Sequence, residues 1–356
     1  MVDAMGPGEN YRHRLGRVAK SIREAQPNKR PPAGQFRVVI TGKGGVGKTS
    51  LTALLARLLA RKQLTVLALD ADPQMNLPYA LGLPPAEARR IVPLSANADY
   101  VEEKTGARPG MGWGLFFRLN PDVADVVERF GVVGPDGVRL LVMGTLIQPA
   151  AGCFCPENSL LASVVNAINL REGEAILMDT QAGVEHFGRA LAAGFHQAIV
   201  VADATFNAIQ VAMQTARLAR GLGIPAVHLV INRVRNESDH QRALDRVAAE
   251  GGFPFLTTHA LPYDERVLES DPAVGSLLET PETAFIEAVR NLRDTLIHSE
   301  QEVGTHAHPD TGSRACWPDR GGNGPSSRSQ DGHHPGERGE ISALRATGHG
   351  RLLPDR

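Results

Sequence analysis

The segment TGKGGVGKTS, which directly follows an apolar strand-like run, constrains this chain more than any other feature. Gly42, Gly47, Lys48 and Thr49 match the spacing Gly-x-x-x-x-Gly-Lys-Thr of a phosphate-binding loop. Glycines let such a loop turn its N–H groups toward phosphate oxygens, and the following helix adds the positive end of its dipole. Lys48 is expected to neutralise the β- and γ-phosphates, and the Thr49 hydroxyl to ligate Mg²⁺. The predicted phosphate site consists of Gly42, Gly44, Gly45, Val46, Gly47, Lys48, Thr49 and Ser50.

Apolar runs of strand length alternate with amphipathic helical patterns through the middle of the chain. Strands are predicted at 36–41, 65–70, 175–179, 198–202, 226–231 and 255–260. Helices are predicted at 51–61, 208–222 and 239–249. Continuous Val, Ile and Leu runs between helices are typical of parallel strands buried on both faces. The class is therefore α/β, a doubly wound and mainly parallel sheet flanked by helices, with a β-hairpin around Pro135-Asp136-Gly137 inserted at 120–150.

Both ends of the chain differ in composition from this region. Residues 1–35 are basic and are interpreted as a solvated extension, with a short amphipathic helix as the alternative. Residues 301–356 are rich in Gly, Ser and His and are predicted to be a disordered tail, because they cannot bury enough apolar surface to offset the entropy of ordering. Residues 36–300 are predicted to form one nucleotide-binding domain that includes the hairpin.

Charge and cysteine content argue against several classes of function. The net charge of −1 creates no global field toward nucleic acid or anionic lipid, and no apolar run is long enough to span a membrane. We therefore expect neither nucleic acid nor a membrane as a partner. Three cysteines cannot form a disulfide framework, which favours a cytoplasmic location.

Lys43, the second residue of the loop, makes the motif more specific. With Gly44 and Gly45 it resembles the deviant Walker A motif of the MinD/ParA-like (SIMIBI) P-loop ATPases, which include the nitrogenase iron protein. The resemblance implies that Lys43 reaches the nucleotide of a partner subunit, so that hydrolysis requires a homodimer. A second cation is useful where charge develops on the transferring phosphoryl group. From the residue alone, a solvated loop lysine is the alternative.

Three aspartates stand at predicted strand ends, which is the edge where doubly wound sheets bind ligands. Asp70 and Asp72 occur in LDADPQMNL, and Asp179 occurs in LMDTQAG. The resemblance implies that Asp72 positions the attacking water. Asp179 is expected to hold Mg²⁺ with Thr49, directly or through water, and Gly183 to belong to a switch that senses the γ-phosphate. Two alternatives stay open for Asp70: it positions the water, or it caps the next turn.

Two later segments are candidates for the base site. The resemblance implies that Asn232, followed by Arg233, hydrogen-bonds adenine. It also implies that the loop ALPYDERV, with Pro262 and Asp264, packs over the base. A polar turn after a strand is the alternative for each. The sequence contains no guanine-specific loop, so ATP is the predicted nucleotide.

Cys153 and Cys155 are separated by one residue. That spacing strains a disulfide, and two thiolates fill only half of a usual four-coordinate soft-metal site. A twofold dimer would complete the site, because symmetry brings the same patch of both subunits together.

The cysteine segment belongs to a wider pattern. The segments GKGGVGKTS, LDADPQMNL, GCFCPENSLL, MDTQAGVEHFGRA, LVINRV and LPYDERVLESDPAVG follow in order over about residues 36–297. Together they resemble the nickel-insertion accessory ATPases of carbon monoxide dehydrogenase, the CooC type. The resemblance implies that Cys153 and Cys155 bind Ni²⁺ or Zn²⁺ for a carbon monoxide dehydrogenase-like client, although another client enzyme would suit the same machinery.

Several features stay open at this level. Glu185 and His186 fit a phosphate switch, a metal relay or simple packing, and the tail histidines and Cys316 fit a metal reservoir or an accident of composition. A positioning or partitioning ATPase of the MinD/ParA type, acting on membrane or DNA, is the alternative function. An iron–sulfur redox protein ranks third.

Overall fold

A computed structural model of the chain describes residues 36–106, 108, 122–144, 163–165, 173–182 and 194–305. All of them belong to one compact unit, Met1–Pro309. The strands found within these residues are β1 (Phe36–Gly42), β2 (Thr65–Ala71), β3 (Val132–Val133), β4 (Arg139–Val142), β5 (Glu174–Thr180), β6 (Gln197–Ala202), β7 (Ala226–Val234) and β8 (Thr257–Pro262).

These strands form one sheet in the order β3-β4-β2-β5-β1-β6-β7-β8. All neighbours are parallel except β3 and β4, which are antiparallel. The chain order reverses at β1, and sheets of this kind bind ligands where the order reverses, at the carboxyl ends of the strands. The predicted doubly wound α/β fold is confirmed.

Helices connect the strands and cover the sheet. They are α1 (Lys48–Ala60), α2 (Leu77–Leu81), α3 (Pro85–Ala88), α4 (Ala98–Thr105), α5 (Val126–Phe130), α6 (Phe206–Gly221), α7 (Glu237–Ala249), α8 (Arg266–Glu269) and α9 (Ala284–Thr305). The predicted helices 51–61, 208–222 and 239–249 correspond to α1, α6 and α7. Their true starts lie earlier because helices begin at caps, such as Thr205 and Asn236, rather than at the first apolar residue.

The core lies on both faces of the sheet. Every residue of β1 and β6 is buried, and so is most of α1. Several strand boundaries differ from the prediction, and the largest difference is at β7, which continues to Val234 rather than ending at 231. Strand β8 spans Thr257–Pro262 rather than 255–260, and the rings of Phe253 and Phe255 pack 4.7 Å apart just before it. Helix α9 continues past the predicted domain boundary at residue 300 to Thr305.

The predicted hairpin is present as β3 and β4, joined by a turn at Pro135–Gly137. Asp136 in this turn has φ 56° and accepts a hydrogen bond from Nε of Arg57 at 2.6 Å. The buried Arg57 also donates to the carbonyl of Gly275 at 2.7 Å. One side chain of α1 therefore fixes both the hairpin and the segment Val274–Glu279.

A buried polar network crosses β6, β7 and β8. Nδ1 of His228 lies 2.7 Å from Oγ1 of Thr257, and Nε2 of His228 lies 3.2 Å from Oε1 of Gln197. Nε2 of Gln197 donates to the carbonyl of Leu296 in α9 at 3.0 Å. Oγ1 of Thr257 also lies 3.0 Å from Nε2 of His259. The neutral side chain of His228 thus links β6, β7 and β8, and Gln197 extends the network to α9.

We expect His228→Gln to reduce the acid sensitivity of the fold. Burial lowers the pKa of His228 from 6.5 to about 4, so the unfolded chain binds a proton in that window that the folded chain does not. Stability therefore falls as pH falls from 6.5 to 4, by about 3 kcal/mol for this group. Urea unfolding at several pH values measures the slope. His298→Gln is the control, since His298 is exposed on α9 and lies outside this network. An unchanged slope in His228→Gln would contradict the prediction.

Candidate functional site

The phosphate loop, residues 42–49, runs from the end of β1 to the first turn of α1. Gly42 has φ 142°, and a Cβ there would lie 2.1 Å from the carbonyl oxygen of Val201 in β6. Gly47 has φ 95° and immediately precedes α1. The first turn of α1 carries no acidic side chain that would oppose an anion. The backbone is therefore a narrow anion-binding cradle that tolerates only glycine at its two ends.

Lys48 is the buried cation of this loop. Its Nζ donates to the carbonyl of Lys43 at 3.1 Å, which closes the loop on itself. Burial lowers the pKa of Lys48, while the negative charges of Asp179 and Asp72 raise it. Lys43 itself is only partly buried. Of the two predicted lysines, Lys48 points its charge into the loop.

Thr49 and Asp179, the two predicted Mg²⁺ ligands, are in direct contact. Oγ1 of Thr49 donates to Oδ2 of Asp179 at 2.7 Å, and Oγ1 of Thr52 lies 3.4 Å from Oδ1. Asp179 is fully buried, and burial raises its pKa to about 7 against the opposing effects of Thr49 and Lys48. Thr49 and Asp179 offer only oxygen atoms, which are the ligands that Mg²⁺ prefers. A bound Mg²⁺ would also offset the cost of burying the Asp179 charge.

Asp70 and Asp72 have different environments. Asp70 is fully buried, and its two oxygens accept from the N–H groups of Asp72 and Leu77, each at 3.1 Å. Burial, and then the neighbouring charge of Asp179, raise the pKa of Asp70 well above its ordinary value. Asp72 is partly exposed and close enough to Lys48 and Asp179 to change the pKa of both. Asp70 therefore organises the turn. Asp72 accepts one backbone hydrogen bond at Oδ1, from the N–H of Gln74 at 2.9 Å, and it is the more accessible aspartate beside the loop.

The predicted base-site residues lie at the ends of β7 and β8. Nδ2 of Asn232 donates to the carbonyl of Val46 in the phosphate loop at 2.8 Å. Pro262 is the last residue of β8 and pairs with Val234. Asp264 accepts from Nε of Arg266 at 3.2 Å and from Nη2 at 3.1 Å, and this contact lowers its pKa.

Sequence reasoning missed two of these contacts. The pairing of Asp264 with Arg266 was readable from PYDER, where opposite charges stand two residues apart. The bond from Asn232 to Val46 joins residues 186 positions apart and left no local signal. Arg233 is exposed with φ 59°, a conformation that non-glycine residues rarely adopt.

Other predicted features lie outside the described residues. They are Cys153, Cys155, Gly183, Glu185, His186, Cys316, the basic extension and the tail from residue 306. Within the ranges that are described, no cluster of three or more His, Cys, Asp or Glu side chains could hold a metal ion. None of the described helices combines the length and apolar character needed to cross a membrane.

Residues 37–273 match the family model for the CobQ/CobB/MinD/ParA nucleotide binding domain. The chain belongs to this family. The CobQ/CobB/MinD/ParA assignment agrees with the glycine cradle and with Lys48, and it makes the chain a nucleotide-binding ATPase.

Two relatives support the same assignment. The carbon monoxide dehydrogenase accessory protein CooC of Rhodospirillum rubrum is 35% identical over 238 residues, which are 67% of this chain and 88% of that protein. An uncharacterized ATP-binding protein of Methanocaldococcus jannaschii is 37% identical over 237 residues, 66% of this chain and 88% of that protein.

Solved structures of the CobQ/CobB/MinD/ParA type share the fold. The septum site-determining protein MinD of Pyrococcus horikoshii, complexed with Mg-ADP, has a TM-score of 0.52 at 20% identity and covers 77% of this chain and 98% of its own. A plasmid partition protein of Borrelia burgdorferi bound to AMPPNP has a TM-score of 0.53 at 16% identity, with 74% and 99% covered.

Proposed function

We propose that this protein is a homodimeric, ATP-hydrolysing metallochaperone that carries Ni²⁺ or Zn²⁺ for the maturation of a carbon monoxide dehydrogenase-like enzyme. One observation carries the ATPase part: the pair of Thr49 and Asp179 beside the buried Lys48. The metal part is supported by the Cys-x-Cys segment and by the similarity to the CooC accessory protein.

In this proposal the loop residues bind and orient ATP. The N–H groups of Gly44–Thr49 hold the phosphates, and Lys48 neutralises charge on them. Thr49 and Asp179 would hold Mg²⁺, which supplies further neutralisation of the phosphate oxygens. Asp72 orients the attacking water, since Asp70 has both oxygens occupied by backbone N–H groups.

The base is proposed to lie against the ends of β7 and β8. Asn232 and Arg233 form one side, and Pro262 forms the other. Asp264 acts there mainly through Arg266, whose guanidinium it holds in place. The nucleotide proposed for this site is ATP.

Two features make the dimer necessary to this mechanism. Lys43 is proposed to act on the nucleotide of the partner subunit, where it would meet charge developing in the transition state. Cys153 and Cys155 of both subunits are proposed to supply four thiolates to one cargo ion. Nucleotide-driven closure of the dimer would then change the coordination of that ion. Because cysteines bind metal as thiolates, the affinity for the ion is expected to rise with pH.

We expect one nickel or zinc ion per two chains, and we expect Cys155→Ala to lose it. Elemental analysis of the dimer, with and without ATP, measures the stoichiometry. Cys316→Ala is the matched control, since it removes a cysteine outside the Cys-x-Cys segment and should leave the metal content unchanged. An unchanged metal content in Cys155→Ala would refute the cargo site, although it would leave the ATPase assignment intact.

A further inference from the structure

We propose that Asn232 is a positioning residue for phosphate binding, which holds the phosphate loop in its binding conformation from the end of β7. This role differs from a contact with the base, and it rests on the proposed ATP site. The observation behind it is the 2.8 Å hydrogen bond from Nδ2 of Asn232 to the carbonyl oxygen of Val46.

This hydrogen bond determines which way one peptide of the loop faces. The carbonyl of Val46 and the N–H of Gly47 belong to the same planar trans peptide, so they point in opposite directions. Attracting the carbonyl toward Asn232 therefore turns the N–H of Gly47 away from β7. Loops of this kind bind phosphate through such N–H groups. The side chain of Val46 is buried, so its packing also holds this residue in place.

The orientation of the Asn232 amide is fixed independently. Its Oδ1 accepts a hydrogen bond from the backbone N–H of Arg233 at 2.8 Å. A backbone N–H can only donate, so the amide oxygen must face Arg233 and the amide nitrogen must face Val46. Arg233 has φ 59°, and the pairing register of β7 shifts between Ile231 and Val234. Such irregularities commonly aim a side chain at a functional site.

The contact also explains a constraint on the loop. A Cβ at position 47 would lie 2.5 Å from Nδ2 of Asn232. Gly47 is therefore required by the amide packed against it as well as by its φ of 95°. Asn232 and the loop backbone occupy adjoining space with no room for a side chain between them.

Base recognition remains compatible with this role. The amide nitrogen of Asn232 has a second hydrogen, and its oxygen has a second lone pair. A base bound through these would share one amide with the phosphate loop. Asn232 would then couple the two halves of the nucleotide site.

Tripolyphosphate tests the proposal because it has phosphates but no base. With Mg²⁺ present, we expect Asn232→Ala to weaken its binding about fivefold, the effect of one neutral hydrogen bond. Asn232→Leu has nearly the same size and no charge, but it offers no donor to the Val46 carbonyl, so a space-filling role would survive this change and a donor role would not. We expect it to weaken binding about as much as Asn232→Ala does. Calorimetry measures the affinities, and thermal unfolding checks that both variants are folded.

Asn291→Leu is the control, because it makes the same change on the exposed side of α9 and should bind tripolyphosphate like the wild type. If both Asn232 variants bind tripolyphosphate within about twofold of the wild type while ATP binding falls, Asn232 serves the base alone and the proposal is overturned. A wild-type protein that binds neither ligand would instead overturn the ATP site itself, and the inference with it.

Discussion

Equal amounts of Lys43→Ala and Lys48→Ala protein, each nearly inactive alone, are expected to recover about a quarter of wild-type ATP turnover when they exchange subunits. Lys48 is proposed to act in its own subunit and Lys43 in the partner's. A mixed dimer then has one site with an intact Lys48 and an intact partner Lys43. Random exchange makes about half of the dimers mixed, and each has one working site of two.

The structure gives the two lysines the environments that this experiment requires. Lys48 is buried in its own loop, with Nζ 3.1 Å from the carbonyl of Lys43. The side chain of Lys43 is partly exposed, so it is accessible to a second subunit. Each single change is expected to lower turnover by at least about 100-fold, since each removes a cation from the phosphates.

A mixture of Lys48→Ala and Asp72→Ala provides the matched control. Both residues are proposed to act in their own subunit, so every site in a mixed dimer lacks one of them and no activity should return. Steady-state phosphate release measures both mixtures. If the Lys43→Ala and Lys48→Ala mixture stays as inactive as its parts after subunit exchange is verified, Lys43 does not act across the interface.

Asp179→Asn is expected to abolish turnover without weakening the fold. The buried carboxylate is proposed to hold Mg²⁺, and losing its charge should lower ATP turnover by at least about 100-fold. Asparagine has nearly the same shape as aspartate. It can still accept the hydrogen bond from Oγ1 of Thr49, which lies 2.7 Å from Oδ2 of Asp179 in the structure. Burial of the charge is unfavourable, as its raised pKa of about 7 indicates. We therefore expect the free energy of unfolding to stay the same or rise by about 1 kcal/mol.

Chemical denaturation without Mg²⁺ and phosphate release with Mg²⁺ measure these two effects separately. Asp245→Asn is the control, because Asp245 is an exposed acid of α7 and should change neither quantity. A clear loss of stability in Asp179→Asn would mean that the carboxylate is a structural element rather than a site kept for a cation. Turnover close to the wild-type rate would remove Asp179 from the proposed Mg²⁺ site.

Much of the fold was predictable because its signals are local. The predicted strands correspond to β1, β2, β5, β6, β7 and β8, since continuous apolar runs mark strands buried on both faces. The turn at Pro135–Gly137 follows from its residue types. Element ends were less predictable, because a cap such as Asn236 acts through one hydrogen bond and leaves no periodic pattern.

The choice between Asp70 and Asp72 shows where sequence reasoning stopped. Both lie at the end of β2 with the same chemistry, and only burial separates them. Asp70 pairs in register with Asp179 inside the sheet, and its oxygens are occupied by N–H groups. Asp72 directly follows the strand and is partly exposed.

The sequence by itself determined the alternation of strands and helices and the glycine loop that begins α1. These properties depend on neighbouring residues and on the φ values that glycine alone adopts freely. Only the tertiary structure decided which polar atoms meet: Thr49 with Asp179, and Asn232 with Val46. The physical reason is that these contacts depend on the placement of β5 and β7 in the sheet relative to β1, which brings together residues more than a hundred positions apart.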